Sequence, residues 1–146
     1  MSRAEISRSL EIMQRCVELA QQSPAGELIP IVHLQLAICL HNSGDPVQAS
    51  SLLGNLMTHF EPVRQEAGNT FLPINPWVLT PMIFSWVRHT LGRPDEALKL
   101  SELALRRARE LKRPLAVSAA YAITATLHYE RRELVAARDL AESRSQ

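Results

Sequence analysis

Apolar residues recur every three or four positions along most of the chain, which is the spacing of one face of an α-helix. In the first segment, Ile6, Leu10, Met13 and Val17 follow this spacing. No segment alternates apolar and polar residues for long without also fitting a helix, so we expect no β-strand. The predicted helices cover residues 3–22, 27–42, 46–60, 76–91, 94–112, 114–130 and 133–143. The pattern therefore predicts an all-α protein built from antiparallel helix pairs.

Two six-residue phrases, forty-eight positions apart, connect predicted helices and share the pattern Gly-x-Pro-x-x-Ala. The glycine ends one helix in the left-handed conformation, the next residue caps, and proline opens the following helix at its first position. The small alanine lets the two helices cross closely. Self-similarity of this kind is typical of a repeat architecture. The shared positions are Gly44, Pro46 and Ala49 in the first phrase and Gly92, Pro94 and Ala97 in the second.

Two segments interrupt the helical pattern. Residues 61–75 are rich in proline, glycine and asparagine, so most of this stretch should be loop. Asn75 is the expected N-cap of the helix that follows. Pro81 lies inside that helix, and it either kinks the helix or marks the point where regular helix begins.

The helix pairs resemble tetratricopeptide repeats. The residues that carry the resemblance are Leu36, Ala37, Leu40, Gly44, Ala49, Leu53 and Leu56 in one unit, Phe84, Ser85, Gly92, Ala97, Ser101 and Ala104 in the next, and Tyr121, Ala125, His128, Ala137 and Ala141 in a third that lacks the turn glycine. The resemblance implies a right-handed solenoid of helix hairpins that forms a single domain over residues 1–146.

The spacing between equivalent alanines is longer than the ~34 residues of the standard repeat. The runs 75–111, 113–116 and 127–133 look like the helical repeat region of large bacterial signalling ATPases, and the resemblance covers roughly residues 27–142. In those proteins the region is often joined to adenylate/guanylate cyclase or LuxR-type DNA-binding domains. No nucleotide-binding loop, cyclase domain or DNA-reading motif is present in this sequence. The resemblance therefore implies a signalling context in a bacterial cell and carries over no enzymatic activity.

Charge and residue chemistry offer few functional signals. Sixteen basic and fifteen acidic residues leave a net charge of +1, which gives no reason to expect a nucleic-acid or membrane partner. We interpret the basic cluster at residues 106–113 as a solvated helix face rather than a phosphate patch. This basic cluster consists of Arg106, Arg107, Arg109, Lys112 and Arg113.

The two cysteines, Cys16 and Cys39, are expected to be small core residues in a reducing compartment.

No catalytic or metal-binding motif stands out. The histidines lack the helical spacing to another histidine or cysteine that a metal site needs. No serine stands in a Gly-x-Ser-x-Gly context, and the glycines do not cluster into a phosphate-binding loop. We therefore expect no catalysis, metal or cofactor. The histidines are His33, His41, His59, His89 and His128.

The first helix of each pair should line the concave face of a solenoid, where such arrays bind extended ligands. Within this face, His41 and His89 occupy equivalent places, and Trp86, Tyr129 and Met82 are of the types that anchor interfaces. The alternative is that Trp86 and Met82 are core residues. Repeat register assigns to the face Leu34, Gln35, Ile38, His41 and Asn42, then Met82, Trp86 and His89, then Thr126, Tyr129 and Glu130.

The favoured function is a non-catalytic interaction module that binds a protein or peptide in signalling. The alternative is a small-molecule effector-sensing domain in which Trp77, Trp86 and the 61–75 segment enclose the effector. A nucleic-acid binder or a catalytic remnant ranks last.

The two ends of the chain bear on assembly and location. The first and last helices have no capping partner in the sequence, so we expect either a longer array or a homo-oligomer formed through these ends. The polar N-terminus lacks a secretory signal, and no apolar run reaches the ~18 residues of a membrane span. We therefore expect a cytoplasmic protein.

Overall fold

The computed structural model of this chain describes residues 2–24, 28–60, 73–131 and 134–144. Over these residues the secondary structure is helical, without a strand, which confirms the all-α prediction. The helices are α1 (Arg3–Gln22), α2 (Leu28–Asn42), α3 (Pro46–Leu56), α4 (Pro76–Thr90), α5 (Pro94–Leu111), α6 (Pro114–Glu130) and α7 (Leu134–Arg144).

Most predicted helix boundaries agree with the structure to within a residue or two. The main difference is α3, which was expected to reach residue 60 and ends at Leu56. There the chain tightens into a turn in which the His59 N–H donates to the Leu56 carbonyl at 3.1 Å. Most of the predicted 61–75 loop, residues 61–72, lies outside the described residues, but Asn75 caps α4 as expected. Its Oδ1 accepts from the Trp77 N–H at 2.9 Å.

The chain forms two compact units, Met1–His59 and Phe60–Gln146. In the first unit, α2 packs against both α1 and α3. In the second unit, α4 packs against α5, α5 against α6 and α6 against α7, and α4 also contacts α6. The connections at 43–45, 91–93 and 112–113 are short, so they reverse the chain direction and set neighbouring helices antiparallel.

The two Gly-x-Pro corners have the same backbone geometry. Gly44 and Gly92 adopt the left-handed conformation, with φ of +92° and +76°. Asp45 and Arg93 follow with φ, ψ of −116°, 69° and −117°, 68°. The N–H of each of these two residues donates to the carbonyl five residues earlier, at 2.9 and 3.0 Å. Two distant stretches of sequence therefore fold into one local structure, as the repeated phrase predicts.

The two corners differ in their caps. The Asp45 side chain accepts from the Gln48 N–H at 3.2 Å, which confirms it as the N-cap of α3. Arg93 stands in the same position before α5 but makes no side-chain capping bond. The prediction that the residue after each glycine caps the next helix is therefore right at the first corner. At the second corner Arg93 occupies the N-cap position, but its side chain does not cap the helix. An arginine has no acceptor to offer a helix N-terminus.

Small residues hold the helices close together. Ala49 and Ala97 are both fully buried, so no larger side chain fits at either crossing without moving a helix. In the second unit four of the seven residues of the main core cluster are alanines on α5 and α6. That cluster consists of Val78, Met82, Ala104, Leu105, Ala108, Ala116 and Ala120.

None of the helices in the described parts of the chain combines the length and apolar character that crossing a membrane requires.

Candidate functional site

The contact between α4 and α6 brings together three residues of the predicted partner-binding face. The ring centroids of Trp86 and His89 are 5.9 Å apart and their planes are inclined by 34°. His89 Nε2 contacts the carboxylate oxygen Oε2 of Glu130, on α6. Residues forty-one positions apart in sequence thus form one cluster, which we call the Trp86 cluster.

An exposed aromatic side chain lies beside this cluster in sequence. Tyr129 precedes Glu130 in the last turn of α6 and is 63% exposed. A tyrosine offers a large, stiff apolar surface and a hydroxyl that can donate or accept. The Trp86 cluster is itself accessible, because the side chains of His89 and Glu130 are 24% and 39% exposed. Two accessible groups therefore lie at this end of the second unit, the Trp86 cluster and the Tyr129 side chain.

The remaining predicted residues lie on α2, in the first unit. Gln35, Ile38 and His41 are half-buried and Asn42 is exposed. Their spacing of three or four residues places them along one side of the helix.

His41 and His89 are equivalent in structure as well as in register. The carbonyl of each accepts from the N–H of its corner glycine, at 3.1 and 3.0 Å. The Nδ1 atom of each ring is buried and has no hydrogen-bond partner among the described residues. Burial lowers the pKa of His41 below its ordinary value of 6.5, so this ring is neutral at pH 7.

Two residues that register assigned to the partner-binding face belong to the core. Leu34 is fully buried and Met82 is 3% exposed. Met82 packs in the core cluster of the second unit, which agrees with the alternative interpretation of this residue. Register identifies the side of a helix, but the depth of each side chain depends on the neighbouring helix, which the sequence does not show.

Ion pairs connect the helix ends next to the Trp86 cluster. Glu96, in the first turn of α5, lies 3.3 Å from both Arg88 and Arg93. Asp95, its neighbour, accepts from Arg131 at 2.8 Å. Exposed pairs of this kind contribute only ~0.2–1 kcal/mol each. The Arg88–Glu96 and Arg131–Asp95 pairs connect the end of α4 and the end of α6 to the start of α5, next to the contact between His89 and Glu130.

Four of the five residues of the basic cluster are exposed, in agreement with a solvated face: Arg106, Arg109, Lys112 and Arg113. Arg109 also places its guanidinium 5.1 Å from the centre of the Tyr121 ring and donates from Nη2 to the Tyr121 hydroxyl. Arg107 turns towards α4 and is half-buried.

Arg107 makes a contact that sequence reasoning missed. Its Nη1 donates to the backbone carbonyl of Trp77 at 2.9 Å, and its guanidinium lies 4.7 Å from the centre of the Trp77 ring. The helix runs continuously through Pro81, four residues after Trp77, so of the two outcomes considered for Pro81 a later start of the helix is excluded. Because proline has no N–H, the Trp77 carbonyl lacks its helical donor. The sequence did contain a signal for this contact: a proline inside a predicted helix leaves the carbonyl four residues earlier without its helical N–H donor, so another donor is needed there.

The same contact bears on the small-molecule alternative, which placed Trp77 and Trp86 around an effector. The Trp77 ring packs against the core cluster and is covered by Arg107. The segment expected to complete that enclosure, residues 61–72, lies outside the described residues.

The described residues include no group of three or more histidine, cysteine or acidic side chains placed to hold a metal ion. Cys16 and Cys39 are both free and half-buried in the structure, and burial raises the pKa of the Cys39 thiol.

No protein-family model matches this chain, and a comparison with curated proteins returns no significant match.

Proposed function

We propose that this chain is a non-catalytic helical-repeat module that binds a protein or peptide partner through the neighbouring ends of α4 and α6, which carry the Trp86 cluster and the exposed Tyr129. The observation that carries the proposal is the juxtaposition of Trp86, His89 and Glu130 from the first helices of two successive hairpins. Aromatic residues beside charged ones at the end of a rigid helix pair are typical of interface anchors.

The repeat character of the chain supports this proposal. The corners at Gly44 and Gly92 share one backbone geometry, and the fully buried alanine follows each at the same distance. Within the second unit, α4 contacts α6, which is the contact that stacked tetratricopeptide-like hairpins make between their first helices. Stacked repeats present extended surfaces suited to binding peptides. The resemblance to the repeat regions of signalling ATPases favours a regulatory partner.

The test is the capture of a partner by the full chain, followed by measurement of its dissociation constant with purified components. We expect Tyr129→Ser and Trp86→Ala to weaken binding at least ~10-fold, the usual effect of losing an aromatic anchor. Tyr129 is largely exposed, so its substitution leaves the fold intact, whereas Trp86 is half-buried.

Leu115→Ser provides the matched control. Leu115 is 59% exposed on the same helix as Tyr129 but lies near its opposite end, roughly 21 Å away at 1.5 Å per residue. Equal affinity of the wild type and both aromatic variants would exclude these ends of α4 and α6 as the binding surface. A loss of binding in Leu115→Ser alone would place the interface elsewhere on α6.

A further inference from the structure

A second candidate site lies at the other end of α6, away from the Trp86 cluster. A cavity of about 330 Å³ opens between the start of α6 and the end of α7. Its volume is at the lower end of the range of small-molecule sites. The described residues that line it belong to the second unit.

The rim of the cavity is cationic. Lys112, at the corner before α6, and Arg144, in the last turn of α7, are the charged residues among those that line it. Both lining charges therefore have the same sign, although the chain as a whole is close to neutral. A guanidinium and an ammonium on residues that line one cavity are suited to an anionic group, which a guanidinium holds in a fork and an ammonium as a point charge.

The floor of the cavity is apolar and aromatic. Pro114, Val117 and Tyr121 line the cavity, and their spacing of three or four residues places them along one side of α6. The Tyr121 ring is fixed by Arg109, which stacks on it and donates to its hydroxyl. Because the hydroxyl oxygen accepts this bond, its own proton can be donated to a ligand.

From the cavity volume, the two cationic rim residues and the apolar floor, we propose that the second unit binds a small organic anion. Its carboxylate or phosphate group is held by Lys112 and Arg144, and its apolar body lies on Val117 and Tyr121. This site is separate from the partner-binding surface of the proposed function, since it involves the first turns of α6 rather than the last.

The experiment is a titration of the full chain, followed by NMR, with phenyl phosphate and phenylacetate as probes. These share an aromatic body and differ in the anionic group. We expect at least one to bind saturably, with a dissociation constant of about 1 mM for probes of this size, and to shift the amide signals of Val117 and Ser118. Benzyl alcohol tests the need for charge, and inorganic phosphate tests the need for the apolar body.

Two variants test the residues. Arg144→Gln and Lys112→Gly should each weaken binding at least 10-fold. Lys112 has φ of +53°, a conformation that glycine accepts more readily, so Lys112→Gly should unfold at the same temperature as the wild type or higher. Loss of binding in that variant cannot then be ascribed to unfolding. Lys99→Gln, an exposed site in the first half of α5, makes the same charge change as a control.

Several outcomes would overturn the site. They are saturable binding by neither anion, equal binding of benzyl alcohol, equal binding of inorganic phosphate, and unchanged affinity in Arg144→Gln and Lys112→Gly. An equal loss in Lys99→Gln would likewise show that the effect comes from net charge and not from the cavity.

Discussion

The guanidinium of Arg107 donates to the backbone carbonyl of Trp77 at 2.9 Å and lies over the ring of the same residue. This is the carbonyl that Pro81 deprives of its helical donor. A side chain of α5 therefore completes the hydrogen bonding of α4, which allows a proline in the interior of a helix that packs against the core. The role of Arg107 is therefore to supply a donor to the backbone of α4, and its own helix does not need this side chain.

This relationship predicts coupling between Arg107 and Pro81. Arg107→Ala should destabilise the second unit by about 2 kcal/mol, because it leaves a carbonyl unpaired and removes the contact with the ring. In a Pro81→Ala background the new N–H can donate to Trp77, so the same substitution should cost about 1 kcal/mol less. The measurement is a double-mutant cycle from urea unfolding followed by tryptophan fluorescence, since both tryptophans belong to this unit.

Arg106→Ala is the control, because this neighbouring arginine is exposed. It should change stability by no more than about 0.5 kcal/mol. An equal cost of Arg107→Ala in both backgrounds would show that the Trp77 carbonyl does not depend on it.

Asp45→Ala should destabilise the first unit by about 1 kcal/mol, because the N–H of Gln48 loses its capping acceptor. Asp45→Asn keeps an acceptor oxygen and should retain most of the stability. Thermal unfolding followed by circular dichroism measures both variants. If the two substitutions were equally harmful, the negative charge at the helix N-terminus and not the hydrogen bond would be the source of the stability.

The corner residues Gly92 and Lys112 should respond to substitution in opposite directions. Both have positive φ, at +76° and +53°. Gly92→Ala meets no atom within 4 Å, so its cost, about 1 kcal/mol, comes from backbone strain alone. Lys112→Gly relieves the same strain and should stabilise the second unit by about 0.5–1 kcal/mol. Urea unfolding of the two variants side by side tests this, and a destabilised Lys112→Gly would mean that the lysine side chain makes a contact of greater value.

Ala97→Leu should destabilise the second unit by about 1–3 kcal/mol, because Ala97 is fully buried where α5 meets α4 and a larger side chain forces the helices apart. Glu102→Leu introduces the same residue at an exposed position of α5 and should be nearly neutral. Comparable losses in the two variants would contradict a close helix crossing at Ala97.

Two half-buried histidines of α2 predict a pH dependence of the stability of the first unit. Burial lowers the pKa of His33 and of His41, and the charge of His59 lowers that of His33 further. As the pH falls, the histidines of the unfolded chain, with pKa values near 6.5, therefore bind protons at a higher pH than those of the folded chain. Stability from this source is fully present above pH 6.5 and falls as the pH decreases through that value.

We expect the unfolding midpoint of the first unit to drop between pH 7.5 and 5.5, and His33→Asn combined with His41→Gln to flatten this slope. Burial is the larger cause at both positions, so 0.5 M salt should leave most of the slope in place. A midpoint independent of pH over this interval, or a slope that the double variant does not alter, would contradict the assignment.

Helical periodicity, the glycine–proline corners and the cap at Asn75 were all predictable from local sequence, because each depends on conformational preferences within a few residues. The end of α3 was not, since the last turn of a helix is decided by small energy differences. The equivalence of His41 and His89 also followed from register alone, as both stand three residues before a corner glycine.

Local sequence was sufficient to predict the helices of the described residues and the two matching corners, since propensity, capping and the left-handed glycine act along the chain. Which side chains of those helices meet depends on the packing of the folded chain. Four features depend on residues from different helices. They are the burial of Met82, the contact of His89 with Glu130, the hydrogen bond from Arg107 to the Trp77 carbonyl, and the cavity beside Lys112 and Arg144. Their separation in space depends on how closely alanine-lined helices approach, which is a property of packing rather than of any local segment.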